Sequence, residues 1–221
     1  MNGLGVIFDM DGVLVDSYRA HLESWQRLAR DLGTEMSEEQ FAATFGRTSQ
    51  DIIHELWADH IGDADLAELD DRKEAIYREI LQAGFPEMDG ARDLLGSLRE
   101  AGFALAIGSS GPPENVELLL RRMPGAECIS ATVDRRQVTR GKPDPEIFLA
   151  AAEKLSLRPA DCAVVEDAPA GIEAARRAGM VAIALTGTAD REALAEGAHL
   201  IVDSLRDLSP QAIADLIRTG G

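Results

Sequence analysis

The stretch that most constrains the fold is Leu4-Gly5-Val6-Ile7-Phe8, an apolar run too short for a helix and closed by Asp9-Met10-Asp11-Gly12. A run without polar alternation that ends in a glycine turn reads as a strand buried on both faces, the mark of a parallel sheet. Its carboxyl end carries two carboxylates, and that edge is where open α/β sheets bind ligands. Asp11 already lies where Asp11-Gly12 turns, so Asp9 and Asp11 can converge on one small site in different roles. Taken alone, such an Asp-x-Asp-Gly is as readily a solvated turn after an edge strand.

The same pattern recurs past residue 86. Residues 103–107, 128–133, 162–165, 180–185 and 199–202 read as strands alternating with helices. The first of these helices carries Ala91, Leu94, Leu95 and Leu98 and stops at Gly102; the next runs from Pro113 through Val116, Leu119 and Leu120 to Met123. A third has Ile147, Phe148, Ala151 and Leu155 on one face, with Asp144 as N-cap and Pro145 as first residue. A fourth opens at Pro169 and stops at Gly179, and residues 209–218 form the last. This order predicts an α/β fold, a doubly wound parallel sheet with right-handed crossovers and helices on both faces.

Residues 16 to about 84 differ. They show helix-period patterns and no convincing strand: a helix to about Leu32, capped by Asp16 or Ser17 and stopped by Gly33; capping boxes at Ser37/Gln40 and Thr48/Asp51; a helix carrying Ile52, Ile53, Leu56 and Trp57; and a longer one over 66–83, ended by Gly84. This stretch is therefore expected to be a helical insert in the α/β unit.

Of the 221 residues, 45% are hydrophobic, enough for a substantial core. A net charge of −17 with no basic stripe argues against nucleic acid and anionic membrane surfaces as partners. Met-Asn-Gly runs straight into the first strand with no leader pattern or long apolar span, so a cytoplasmic location is expected. Cys128 and Cys162 lie in short apolar runs without Cys or His at metal spacing and read as buried free thiols. Neither G-x-G-x-x-G nor G-x-x-x-x-G-K-[ST] occurs, which disfavours a dinucleotide or P-loop ligand.

Three apolar strands end in polar groups: Phe8 in Asp9 and Asp11, Ile107 in Ser109 and Ser110, Val165 in Glu166 and Asp167. A parallel sheet brings these ends to one edge. Four carboxylates crowded there need protonation or a cation, and an all-oxygen donor set suits a hard ion such as Mg²⁺. Ser109 can donate to an anionic oxygen, Ser110 and Gly111 can add backbone N–H groups, and Lys142 supplies a fixed positive charge. Together these make a phosphoryl-transfer site in which an Asp can itself be the nucleophile. Each residue also has a plainer role: Ser109 as cap of the following helix, Lys142 as a solvated loop cation, Glu166-Asp167 as cap of the helix at Pro169.

Asp9-Met10-Asp11-Gly12-Val13-Leu14, Ser109 at its strand end, Lys142 in Gly-Lys-Pro-Asp-Pro, and Glu166-Asp167 before Ala-Pro-Ala-Gly-Ile occur in this order. In them the chain resembles the haloacid dehalogenase superfamily, in the branch of β-phosphoglucomutase- and phosphoglycolate phosphatase-like members. The resemblance implies that Asp9 is nucleophile and Mg²⁺ ligand, and Asp11 general acid/base with its backbone carbonyl on the metal. It makes Asp167 the third protein ligand, puts Glu166 beside it directly or through water, and has Ser109 and Lys142 hold the phosphoryl group. It also implies a Rossmann-like core of residues 1–15 and 86–221 with residues 16–85 as a mobile helical cap over the site, and a small phosphorylated metabolite as substrate; the chain is expected to be a monomer or weak dimer. Asp11 favours phosphate esters, since dehalogenases lack that acid/base. His21 and Trp25 match a hinge-side His and Trp of mutase-like members, and Lys73 falls near a cap lysine. Ser49, however, occupies the place of the mutase phosphate-binding arginine, with Arg47 two residues early. A phosphatase is therefore the leading expectation, a sugar-phosphate mutase the second, and a catalytically silent binding protein the third. Trp25 as cap core, His21 as an ordinary polar helix residue and Lys73 as a solvated charge are the plainer roles here.

Overall fold

The computed structural model describes residues 3–44, 49–61 and 65–220. The chain divides into two compact units, Met1–Asp16 with Glu87–Gly221, and Ser17–Pro86.

The first unit is built on a six-stranded parallel sheet: β1 (Gly5–Phe8), β2 (Ala104–Gly108), β3 (Ile129–Val133), β4 (Cys162–Glu166), β5 (Val181–Leu185) and β6 (Leu200–Val202), in the order β3-β2-β1-β4-β5-β6. The strand order reverses between β1 and β4, which opens a crevice at their carboxyl ends. Register fixes what meets there: Phe8 pairs with Ile107 on one side and Val165 on the other. Asp9 is thus level with Gly108 and Glu166. Where the chain leaves this unit and returns, Val15 bridges Glu87, and the Met88 N–H donates to the Leu14 carbonyl at 3.0 Å.

In chain order the helices are α1 (Tyr18–Asp31), α2 (Glu38–Ala42), α3 (Ser49–Ile61) and α4 (Leu66–Ala83) in the second unit, then α5 (Ala91–Glu100), α6 (Pro113–Arg122), α7 (Glu146–Lys154), α8 (Pro169–Arg177), α9 (Arg191–Ala195) and α10 (Pro210–Thr219) in the first. Ile7, Ala106, Val164 and Ala182 on one sheet face pack with Phe148 and Ala151 of α7 and Ile172 and Ala175 of α8. The alternate residues Val6, Phe8, Leu105, Ile107, Ala163 and Val165 point the other way and are also fully buried, so both faces are covered. On the backbone, α5 contacts β2 and α10 contacts β4. Each large side chain buried in this way contributes about 1.5–3 kcal/mol.

Several local expectations shift. Strand β3 starts at Ile129, and Cys128 lies in the 3-10 turn before it, only half-buried, because β3 is an edge strand. Arg99 reaches its Sγ at 3.7 Å. Cys162 is buried as expected, and burial pushes its thiol up to about 12. Pro145, not Asp144, is the N-cap of α7; the Asp144 side chain instead accepts from the Glu146 N–H at 3.1 Å. Helix α9 has no counterpart in the sequence reading, its five residues being too few to show a period.

The second unit is all helical among its described residues. Leu22, Trp25, Leu28, Met36, Phe41, Ile53, Trp57 and Leu69 form its core, with the Trp25 and Trp57 rings 5.7 Å apart. The Ser37/Gln40 capping box is present, α4 has the expected bounds, and Gly33 follows α1 at φ +74°. Ser17 occupies the N-cap position of α1 without a side-chain bond, its backbone being already helical. Helix α3 is interrupted at Trp57 (φ −135°, ψ 19°), where the buried indole packs toward Trp25. Thr48 of the second capping box lies outside the described residues.

Candidate active site

Asp9, Glu166 and Asp167 are all buried at the carboxyl ends of β1 and β4, each offering a carboxylate oxygen within 4.8 Å of the others. The chain turns tightly after Asp9: the amides of Leu14 and Val15 both donate to the Met10 carbonyl, and Gly12 N–H donates to Val15 O. Gly12 is required twice over. Its φ is +77°, and a Cβ there would sit 1.8 Å from Asp167 Oδ2. Asp11, half-buried in this turn, is near enough to raise the Asp9 pKa.

Lys142 enters from the loop before α7. Its Nζ donates to Asp9 Oδ1 at 2.5 Å and Glu166 Oε1 at 2.7 Å, and lies 4.9 Å from the centre of the Phe148 ring. Phe148 in turn packs against Gly108, where a Cβ would lie 3.2 Å from the ring, so the end of β2 and the lysine share one apolar support. Lys142 is therefore not a solvated loop cation: only 9% of its side chain is exposed.

Glu166 is the most committed carboxylate. Oε1 takes Lys142, while Oε2 accepts the amides of Asp167 and Ala168, each at 2.7 Å. It fits only because residue 171 is glycine; a Cβ there would lie 1.8 Å from Oε1. Ser109 is buried, and its Oγ accepts the Gly111 N–H at 3.0 Å, which leaves the hydroxyl proton to donate elsewhere. It does not cap α6, whose N-cap is Pro112. The same bond engages the Gly111 amide, one of the expected phosphate donors, within the loop. Ser110 is exposed.

Electrostatically the cluster is unbalanced. Burial, with help from Glu166 and Asp11, lifts Asp9 to about 7 against the pull of Lys142. Burial also raises Asp167 well above the ordinary range, with Glu166 and Asp9 adding to it and Thr188 and Lys142 opposing. For Lys142, burial pulls the pKa down, but Asp9 and Glu166 outweigh it and the net shift is upward. One ammonium thus faces three buried carboxylates and half-buried Asp11. Oxygen donors this close, two of them costly to ionise, fit a hard divalent cation. Asp9 and Asp167 are the better donors, because both Glu166 oxygens already have partners.

The other expected substrate residues lie in the second unit. Lys73 is 3% exposed rather than solvated. Its Nζ is 2.9 Å from His21 Nδ1 and 2.8 Å from Glu74 Oε1, and 5.4 Å from the centres of the Trp25 and Tyr77 rings. His21 stacks on Tyr77 at 4.1 Å, which makes it part of this cluster rather than an ordinary polar helix residue. Arg47 lies outside the described residues. The sequence reading missed Thr188, Gly171 and the Tyr77–Glu74 surroundings of Lys73. Thr188 carried a usable signal: Thr186-Gly187-Thr188 directly follows a strand that ends at the same edge.

Comparison with known proteins agrees with this geometry. Residues 4–179 match the haloacid dehalogenase-like hydrolase family. Validoxylamine A 7'-phosphate phosphatase of Streptomyces hygroscopicus subsp. limoneus is 34% identical over 203 residues, covering 89% of this chain and 92% of that protein. β-Phosphoglucomutase of Bacillus subtilis (strain 168) is 32% identical over 211 residues, covering 92% and 91%. The crystal structure of a family IA, variant 3 hydrolase from Entamoeba histolytica superposes with a TM-score of 0.88 at 26% identity, covering 97% of this chain and 99% of that one. The chain belongs to the haloacid dehalogenase-like hydrolases and is an enzyme of the phosphatase type within them.

Proposed function

We propose that this enzyme is a Mg²⁺-dependent phosphatase that hydrolyses a small phosphorylated metabolite, a sugar phosphate or a phosphoglycolate-like ester, through an aspartyl phosphate on Asp9. The observation that carries the reading is the excess of buried carboxylate over lysine where β1 and β4 end. Asp9 and Asp167, with the Asp11 carbonyl, would hold the cation, which supplies positive charge to the phosphoryl oxygens. Asp9 attacks phosphorus, forming the carboxyl O–P bond as the bond to the leaving oxygen breaks. Asp11 gives that oxygen a proton, then takes one from the water that hydrolyses the acyl phosphate. Lys142 and the Ser109 hydroxyl hold the phosphoryl oxygens; Glu166 keeps Lys142 aimed at Asp9.

In the same reading the helical unit is the cap that selects the leaving group, with Arg47 gripping its remote end. A cytoplasmic, monomeric or weakly dimeric enzyme completes it. Assaying released phosphate over a panel of sugar, glycolate and nucleotide phosphates, with acid-quench trapping of the phosphoenzyme, tests the reading. Turnover is expected with at least one small ester, abolished by EDTA and restored by Mg²⁺. Activity that survives thorough chelation would overturn it.

A sugar-phosphate mutase is the second reading, favoured by the meeting of His21 and Lys73. Conversion of a hexose 1-phosphate to its 6-phosphate without net phosphate release would establish it over hydrolysis.

A further inference from the structure

Asp167 has a partner that belongs neither to β1 nor to β4. The Thr188 side chain lies against its carboxylate and opposes the rise in its pKa. Asp167 Oδ2 and Thr188 Oγ1 crowd the same space over Gly12, lying 1.8 Å and 2.8 Å from where a Cβ on that residue would be. Thr188 reaches this point because β5 lies next to β4 in the sheet and its following loop opens on the same edge.

That loop is held at both ends. On one side the Thr186 N–H donates to the Val202 carbonyl at 3.0 Å, and its hydroxyl donates to Asp203 Oδ1 at 2.8 Å. On the other, Arg191 donates to the same Asp203 oxygen at 2.7 Å, and Asp190 caps α9 through the Ala193 N–H at 2.8 Å. Gly187, at φ +134°, makes the turn between them. Thr188 is therefore presented by a clamped five-residue span, 186–190, rather than by a loose loop.

We propose that Thr188 is a positioning residue for the cation site: its hydroxyl fixes the Asp167 carboxylate so that the remaining lone pairs point at the ion shared with Asp9. The inference rests on the reading of a divalent cation at this cluster. A hydroxyl is suited to the task, since it removes one rotational freedom from the carboxylate without adding charge or competing for the ion. Gly12 completes the arrangement by leaving room for the oxygen and the hydroxyl together.

The test is calorimetric titration of the full-length resting protein with MgCl₂, without substrate, for the unchanged chain and for Thr188→Val, Thr188→Ser and Thr188→Ala, with circular dichroism and Tm in EDTA as controls of folding. Loss of the hydroxyl in Thr188→Val should weaken Mg²⁺ binding about tenfold, as for other partners of metal-ligating groups. Thr188→Ser should bind like the unchanged protein, and the Mg²⁺ concentration for half-maximal phosphatase activity should move in parallel. A residue that merely stabilises its loop would lower Tm and leave the Mg²⁺ affinity alone. Equal affinity in well-folded Thr188→Val and the unchanged chain overturns the proposal; if Thr188→Val does not fold, the same comparison of Thr188→Ala with Thr188→Ser decides it. If the unchanged chain binds no Mg²⁺, the cation reading itself fails, and the role of Thr188 falls with it.

Discussion

Lys142 and Lys73 are both buried beside a carboxylate, one in each unit, yet their surroundings differ in charge balance. Among the described residues Lys73 bonds the carboxylate of Glu74, and it is wrapped by His21 and two aromatic rings that favour a cation over their faces. Lys142 bonds two carboxylates and lies beside a third, Asp167. The Lys73–Glu74 contact sets one cation against one anion. An unmatched cluster keeps unspent negative charge: burial first, and the neighbouring carboxylates after it, hold the pKa values of Asp9 and Asp167 up. Burial of an ion pair is thus no sign of chemistry by itself; the surplus is what suits a site to a cation and a phosphoryl group.

The sharpest way to break the contrast is at Asp9. Asp9→Asn should reduce turnover to background and abolish the trapped phosphoenzyme, because a neutral amide is a poor nucleophile and weaker metal donor. Near-normal turnover would remove Asp9 from its role. Asp11→Asn should slow the reaction by about 10²–10⁴, with alkoxide leaving groups hurt more than p-nitrophenyl phosphate, as loss of a proton donor requires. An equal loss on both would point to disturbance of the metal instead.

The two lysines can then be compared directly. Lys142→Met should cut kcat/KM on every substrate by about 10²–10³, because charge is lost at the transferring group. Each Lys→Met variant removes the ammonium from beside a buried carboxylate, an effect of about 3–5 kcal/mol in urea unfolding. Mg²⁺ should recover much of that stability for Lys142→Met and none of it for Lys73→Met. Equal rescue, or none in either, would erase the distinction drawn between the clusters.

The smallest effect is a pH dependence. Burial pushes the Asp9 carboxyl up to about 7 in the fold, from an ordinary 3.8, so between these values the folded state holds a proton that the unfolded chain has released. The metal-free protein should therefore lose stability from this group as pH rises from about 4 to about 7. Mg²⁺ needs the carboxylates ionised, so the Tm increase it causes should be large near pH 8 and fade towards pH 5. A Tm increase of the same size at both pH values would contradict the raised carboxyl.

Much of this protein was determined by local pattern. Apolar runs such as 5–8 and 162–165 have no alternation, so they could only be strands covered on both faces. The polar residues that end them had to share an edge once the sheet was parallel. Gly33, Gly102 and Gly179 and the Ser37/Gln40 box mark helix ends because the chain's own hydrogen bonds and dihedral limits act within a few residues. What only the tertiary structure decided are contacts between distant segments. Lys142 bonds Asp9 across 133 positions, Lys73 meets His21 across 52, and Thr188 reaches Asp167 from a neighbouring strand's loop. Their burial and charge balance depend on packing that no local period encodes. The sequence could therefore name Lys142 and Lys73 as cations, but only the fold sets Lys73 against Glu74, His21 and two aromatic rings and Lys142 in a cluster with charge to spare.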